Sequence, residues 1–425
     1  MLHEAYSFPL AFRADLVGKL LERLSLDRES TILDPFCGTG TTLLESKIRG
    51  IPSVGVDANP VCVLVSKAKT TWAVNVSEVK RFAELALDSA FTRYRSYLRR
   101  YHKAKAAGER YKSLADPVFV GSPTGRYLVS SGLIQRGWIS PIPALKTLMI
   151  TEALGMFPSR MKNFLFLSLL GLLIPEISNM SYGPEIYKSR RRLDRDVFGL
   201  FEKRVEENLA KLVALKAAGV NASARVRLGD AVNGGLRFLG PNSIDAVITS
   251  PPYLSDHDYS RLTRLELVFS GYVTSAQDLR KMKQMLLRSS SKNVYKHDIA
   301  AELVKGFSSV TSVVEKISDR ASEKPSGFAR VYPRLIGEYF GQMYKHFQAL
   351  ARVLRLGGKA AYIVADQSSF FAIPIPTAKI IAQLAEGCGG GLRVLTMEPI
   401  AKYRGTRGVV TWSNQEWLIL LEKQT

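Results

Sequence analysis

Thr31-Ile32-Leu33-Asp34-Pro35-Phe36-Cys37-Gly38-Thr39-Gly40-Thr41-Thr42 is the stretch that decides the fold. Residues 31–33 form a short apolar run suited to a buried strand, and Asp34-Pro35 closes it. Phe36-x-Gly38-x-Gly40 then permits a tight turn that brings the backbone close to a ligand, because glycine has no Cβ. Residues 43–49 look helical and stop at Gly50, and Val54-Gly55-Val56-Asp57 is a second short strand ending in an acid. Strand, glycine loop, helix, strand and acid, in that order, open a doubly wound α/β sheet. Asp57 lies where such a sheet takes the ribose hydroxyls of a nucleoside, with Ala58 beside it. A lone GxG with an acid also fits a tight turn beside a solvated carboxylate. The loop lacks a third glycine and a P-loop lysine, which counts against dinucleotides and nucleoside triphosphates.

Outward from this stretch, residues 15–25 carry apolar positions at helical spacing, Leu16, Leu20, Leu21 and Leu24. The α/β pattern then pauses for about 150 residues. Within the pause, positions 91–112 mix Arg93, Arg95, Arg99 and Arg100 with Tyr94, Tyr97 and Tyr101. Residues 116–140 are punctuated by Pro117, Gly121, Pro123, Gly125 and Gly132, which predicts loops or short strands. Apolar helices are expected near 142–156 and 160–175, and a second basic cluster holds Arg190, Arg191 and Arg192. A long helix over 197–217 leads back to the sheet. Residues 225–230 form a third strand ending at Asp230-Ala231, and 244–248 a fourth that runs into Thr249-Ser250-Pro251-Pro252-Tyr253. Residues 271–330 are a more polar interruption. A helix near 333–354, a strand near 359–364 and a terminal hairpin near 392–397 and 416–421 complete the pattern, with residues 402–407 read as a loop.

Ser250-Pro251-Pro252-Tyr253 carries the chemistry. Two prolines fix φ and remove two backbone donors, which leaves carbonyls free to point at a ligand. A serine oxygen and a proline carbonyl can together accept both hydrogens of an amino group, and the tyrosine ring offers a stacking face for a base. Asp230 could accept from an adenine amino group, although a turn role explains it as well. Asp256 and Asp258 could assist proton loss or simply hold the loop.

In these residues the chain resembles the DNA amino-methyltransferases, which methylate cytosine N4 or adenine N6. Residues 34–42 closely match their cofactor motif, and Ser250-Pro251-Pro252-Tyr253 matches their catalytic motif in its cytosine-N4 form. Tyr6-Ser7-Phe8-Pro9-Leu10-Ala11-Phe12 resembles the segment that packs on the methionine end of the cofactor. The resemblance implies a Rossmann-like S-adenosylmethionine-dependent methyltransferase fold: a mostly parallel seven-stranded sheet with a C-terminal hairpin, interrupted by a largely helical insertion. It implies that Tyr6, Phe8, Phe12, Asp34, Pro35, Phe36, Gly38, Gly40, Thr41, Thr42, Asp57, Ala58, Asp230 and Ala231 line the S-adenosylmethionine site. Ser250, Pro251, Pro252 and Tyr253 would hold a base swung out of duplex DNA, and nitrogen would attack the methyl group in line. No covalent intermediate is needed, so Cys37, Cys62 and Cys388 have no role, and no metal is expected.

The expected division is a cofactor half at 1–72, a helical insertion and candidate target-recognition region at 73–196, a catalytic-motif half at 197–270, a second insertion at 271–330 and C-terminal core strands at 331–425. The 59 basic against 38 acidic residues, a formal charge of +21, point to a polyanionic partner, here double-stranded DNA. Arg93, Arg99, Arg100, Arg190, Arg191, Arg192, Arg280, Lys283, Arg404 and Arg407 are the candidate contacts, and a cognate restriction endonuclease is a possible partner. With no leader or membrane span legible, a cytoplasmic, nucleoid-associated protein is expected. Three readings compete: the same machinery acting on adenine N6, an RNA base amino-methyltransferase, and a catalytically silent DNA-binding module.

Overall fold

The computed structural model describes residues 1–11, 13–106, 116–183, 185–220, 222–323, 327–407 and 410–425. The chain divides into two compact units. One joins Phe12–Asn59, Ala222–Tyr259 and Lys283–Thr425, and the other joins Met1–Ala11, Pro60–Asn221 and Ser260–Met282.

The first unit holds a seven-stranded sheet. Its strands are β1 (Ile32–Asp34), β2 (Ser53–Asp57), β3 (Ala224–Leu228), β4 (Ile244–Thr249), β5 (Leu354–Ala365), β6 (Leu392–Arg407) and β7 (Val410–Lys423), in the spatial order β3-β2-β1-β4-β5-β7-β6. Strands β1 to β5 run parallel, whereas β7 pairs antiparallel with both β5 and β6. The order reverses between β1 and β4, which is where an open α/β sheet leaves a crevice at the carboxyl ends of its strands.

Alternation along the strands splits the core in two. Ala360, Tyr362, Val364, Ile419 and Leu421 enter one apolar cluster, and Ala361, Ile363, Leu418 and Leu420 enter the other. Helix Ala14–Arg23 covers the second cluster with Val17, Leu20 and Leu21. Helix Tyr332–Val353 covers the first with Leu335, Tyr339, Met343, Phe347 and Leu350, an apolar stripe at helical spacing. On β4, Ala246 and Ile248 enter one cluster and Val247 the other, and a register shift between Ile244 and Ala246 puts Ile244 with Val247.

The second unit is largely helical. Helix Val76–Ala106 buries Val79, Ala83, Ala86, Ala90 and Tyr97, a stripe recurring every three or four residues where coverage is continuous. Helices Pro141–Leu154 and Ser159–Leu172 are apolar nearly all round and are buried accordingly. Residues 116–140, expected as loop or strand, instead contain helices Asp116–Gly121 and Pro123–Ser130. The prolines that read as breakers are helix starters. Pro123 and Pro141 each stand at the first helical position, after Ser122 and Ser140, where the missing N–H is not needed. Gly125 is required there, since a Cβ would lie 2.5 Å from the Phe119 carbonyl oxygen. Residues 402–407, expected as a loop, belong to β6. Among the described residues, no helix is long and apolar enough to cross a membrane.

Candidate active site

Because β1 to β4 are parallel, the residues that end them gather along one edge of the sheet. These are Asp34 on β1, Asp57 on β2, Asp230 just past β3 and Ser250 just past β4. The glycine loop is held from below. The Cys37 amide donates to the Val56 carbonyl at 3.0 Å, and the Gly38 amide donates to Asp57 Oδ2 at 2.8 Å. Asp57 Oδ1 accepts from the Asn59 amide at 2.7 Å. Gly38 and Gly40 have φ of 49° and 85°, a conformation that favours glycine. A Cβ on Gly38 would meet nothing within 4 Å, so the loop faces open space. Burial raises the Asp57 carboxyl to about 6, against the pull of its two amide donors.

Asp34 is fully buried. Its Oδ1 accepts from Thr249 Oγ1 at 2.6 Å and from the Phe36 amide at 3.2 Å, while Oδ2 has no partner among the described residues. Burial lifts this carboxyl also to about 6. Thr42 Oγ1 donates to the Ile248 carbonyl at 3.3 Å, and Thr41 is buried at the start of helix Thr41–Ile48. Asp34 and Thr42 thus tie the tip of β1 and its loop to the tip of β4.

The catalytic-motif residues form a connected set. Ser250 Oγ donates to the Tyr253 hydroxyl at 3.4 Å, and that hydroxyl donates to Glu416 Oε1 at 2.6 Å. The Tyr253 amide donates to the Tyr259 hydroxyl at 3.1 Å. Burial and the nearby Glu416 push the Tyr253 phenol well above its ordinary range. The Pro252 carbonyl already accepts from the Tyr339 hydroxyl at 3.0 Å. Asp256, at φ 62°, accepts from the Ser291 amide at 2.7 Å and from the Ser290 and Ser291 hydroxyls. Asp258 pairs with Lys283 at 3.1 Å. Both acids therefore hold the loop, and Lys283, a candidate DNA contact, is largely buried in that ion pair.

Asp230 accepts from the Val232 and Asn233 amides at 2.8 and 3.2 Å and from the Asn233 side chain at 2.7 Å, so it caps its own turn. Sequence reasoning missed His346 and Glu416. The His346 ring lies 4.8 Å from that of Phe36; Nδ1 meets the Ala231 carbonyl at 3.2 Å, and Nε2 meets the Tyr362 hydroxyl at 2.6 Å. A carbonyl cannot donate, so Nδ1 carries the hydrogen and Nε2 accepts from Tyr362. Burial lowers this imidazole to about 4 and keeps it neutral at physiological pH. The available signal was a histidine on the apolar stripe of helix Tyr332–Val353; for Glu416 it was a charge heading the apolar run of β7.

The helical unit places other expected residues. Tyr6 is buried; its hydroxyl donates to Glu266 Oε1 at 3.3 Å, as does that of Tyr182 at 3.4 Å. Lys69 Nζ donates to the His3 and Tyr6 carbonyls at 3.3 and 3.2 Å. Burial raises Glu266 to about 7 and lowers Lys69 to about 7. Phe8 is half-buried, and Phe12 lies outside the described residues. Arg93 pairs with Glu152, whereas Arg99, Arg100, Arg190, Arg191 and Arg280 are exposed. Arg192 is committed to the fold, donating to the Pro175 carbonyl at 2.8 Å and to the Ser178 carbonyl. Of the tyrosines that lie among these arginines, Tyr97 is buried and Tyr94 meets Phe198 edge-on at 5.7 Å. The side chains of Arg404 and Arg407 lie outside the described set.

No family model matches the chain. It is 23% identical to the type II methyltransferase M.BsoBI of Geobacillus stearothermophilus, over 91% of this chain and 78% of that protein. It is 26% identical to the type II methyltransferase M.AvaI, as found in Nostoc sp. and in Anabaena variabilis, over 37% of this chain and 33% of theirs. Two structures of the rRNA methyltransferase aviRa from Streptomyces viridochromogenes align over 99% of this chain and 89% of theirs. Their identities are 10% and 12% and their TM-scores 0.32 and 0.30, too slight to bear on fold or function.

Proposed function

We propose that this chain is an S-adenosylmethionine-dependent DNA methyltransferase that modifies the exocyclic N4 amino group of a cytosine swung out of the duplex. The single observation that carries the reading is the Asp34–Thr249 bond of 2.6 Å, which couples the tip bearing the glycine loop to the tip bearing Ser-Pro-Pro-Tyr. A donor held on one and an acceptor held on the other would meet at the switch point of the sheet. The similarity to type II methyltransferases over most of the chain supports methyl transfer to DNA, and the serine opening the catalytic motif favours cytosine over adenine.

The residues present fit the cofactor. Gly38 leaves a cradle open above the loop, with Gly40 at its helix end and Phe36, Thr41 and Thr42 adjoining in sequence. Asp57 keeps lone pairs for ribose hydroxyls beyond its two amide bonds, and Ala58 adjoins it. Asp230 has used most of its acceptor capacity on its own turn, which leaves one lone pair for an adenine amino group; Ala231 is fixed beside it by His346. When bound, S-adenosylmethionine supplies a methyl group on a positively charged sulfur.

The chain's own residues would do the rest. Since Tyr339 occupies the Pro252 carbonyl, the acceptors for the base amino group are Ser250 Oγ and the Pro251 carbonyl. Two accepted N–H bonds turn the nitrogen lone pair toward the methyl carbon, and Tyr253 offers its ring face to the base. Exposed Arg99, Arg100, Arg190, Arg191 and Arg280, and the arm carrying Arg404 and Arg407, would meet phosphates, with residues 73–196 reading the target. A cognate restriction endonuclease and a nucleoid location follow from the same reading.

The test is incubation with methyl-labelled cofactor and unmodified duplex DNA or RNA, then digestion to nucleosides. N4-methylcytosine from DNA is expected. N6-methyladenine would reassign the base, label in RNA alone the polymer, and no label from any nucleic acid would end the enzymatic reading.

A further inference from the structure

We infer that Glu416, distant in sequence from the catalytic motif, fixes the direction of its hydrogen bonds and so makes Ser250 an acceptor for the substrate amino group. The inference rests on the methyltransferase reading and adds a positioning residue to it. Glu416 pairs in register with Ala365, the last residue of β5, so β7 delivers its carboxylate to the same edge of the sheet as Ser250.

The available hydrogens fix each direction. A carboxylate has only lone pairs to offer, so the Tyr253 hydroxyl must spend its single hydrogen on Glu416 Oε1, 2.6 Å away. The phenol oxygen can then only accept, and its neighbour is Ser250 Oγ at 3.4 Å, which must donate. With its one hydrogen turned toward Tyr253, Ser250 has only lone pairs left for an arriving N–H. Without this constraint the serine hydroxyl is free to rotate and donate to the nitrogen lone pair, the electrons that must reach the methyl carbon. The chain Glu416–Tyr253–Ser250 therefore selects the productive rotor of the serine before substrate arrives, a form of preorganisation.

The test compares Glu416→Ala, Glu416→Met and Glu416→Gln with the parent as full-length proteins, using tritiated S-adenosylmethionine and unmodified plasmid DNA. Alanine and methionine offer no oxygen; methionine fills a similar volume and serves if the alanine variant does not fold. Glutamine keeps an acceptor carbonyl for Tyr253. The expected result is a single-turnover rate lowered about 10- to 100-fold in the Ala or Met variant. Cofactor and DNA dissociation constants stay within about twofold of the parent, and Glu416→Gln returns to within about threefold of the parental rate. A parental rate without the acceptor overturns the inference, as does a glutamine variant as slow as methionine, or a loss of cofactor affinity that tracks the loss of rate. A parent that methylates no nucleic acid sinks the functional reading instead, so the two failures are distinguishable.

Discussion

The sheet edge and the helical unit both bury ionisable groups, yet they use them differently. At the edge, three buried or half-buried acids join segments that are distant in sequence: Asp57 holds Gly38, Asp34 holds Thr249, and Glu416 holds Tyr253. In the helical unit, Glu266 and Lys69 anchor the N-terminal segment through Tyr6, and Arg99, Arg100, Arg190, Arg191 and Arg280 are exposed. Under the proposed function, chemistry would be concentrated in a few long-range hydrogen bonds, whereas contact with a polyanion would be spread over many separate cations. The first kind of region should respond steeply to one substitution, the second shallowly.

The steepest expected response is at Ser250. Ser250→Ala removes an acceptor for the amino group, and we expect kcat to fall by about 10²–10³-fold with cofactor affinity unchanged. Measured turnover at the parental level would break the contrast at its strong end. Next comes Asp57→Ala, which frees the Gly38 amide and would remove the proposed ribose acceptor; a rise in cofactor Kd of about 10–100-fold is expected by calorimetry. In the parent, Asp57 is raised to about 6, so its ionised form is lost as pH falls through 6 rather than through 4. Cofactor affinity should therefore weaken below pH 6, and the Asp57→Ala variant should lose that dependence.

The same contrast explains what was legible in the sequence. The glycine loop and Ser-Pro-Pro-Tyr are contiguous, and glycine and proline constrain the backbone wherever they stand, so strand tips and loop could be read directly. The doubly wound sheet was legible in the alternation of short apolar runs with helices. Glu416 and His346 were not legible because their partners, Tyr253 and Phe36, are brought to them only by sheet register and helix packing. In the helical unit the proline clusters misled, since a proline at a helix start and a proline in a loop look alike without the fold. The arginines were visible as charge, but Arg192 and Lys283 turn out to be spent on the fold, which composition alone does not reveal.

The third prediction tests whether the buried acid of the helical unit is structural. Glu266 is raised to about 7 from an ordinary value near 4.5, so the folded state binds more protons than the unfolded chain between those limits. Stability contributed at this site therefore falls as pH rises from about 4.5 to 7 and stays low above. Glu266→Gln keeps the Oε1 acceptor for Tyr6 and Tyr182 without a charge. Relative to the parent it should gain about 1–3 kcal/mol at pH 8 and nothing near pH 4.5, read by denaturant unfolding at both values. Lys69 works in the opposite sense: lowered to about 7, it penalises the fold below pH 7 to an extent that fades by about pH 10.5 and is common to parent and variant. A Glu266→Gln difference that ignores pH would assign the acid some role other than a buried anchor.

The smallest effects belong to the exposed cations, and here the control decides the interpretation. On helix Val76–Ala106, Arg99 stands opposite the buried stripe that includes Tyr97 and Arg100 flanks that stripe, and both are exposed. If they meet phosphates, Arg99→Ala and Arg100→Ala should each weaken DNA binding by only a few-fold at moderate salt. Each should also flatten the log–log salt dependence of binding by about 0.9, with single-turnover rate at saturation unchanged. Arg192→Ala is the counterpart. Because Arg192 donates to two backbone carbonyls, those at Pro175 and Ser178, its removal should lower the thermal midpoint and leave the salt slope as it was. The two outcomes separate a cation that touches DNA from one that holds the chain. A salt slope unchanged in both Arg99→Ala and Arg100→Ala would move the DNA contact off this helix and onto the cations of the 190–191 cluster.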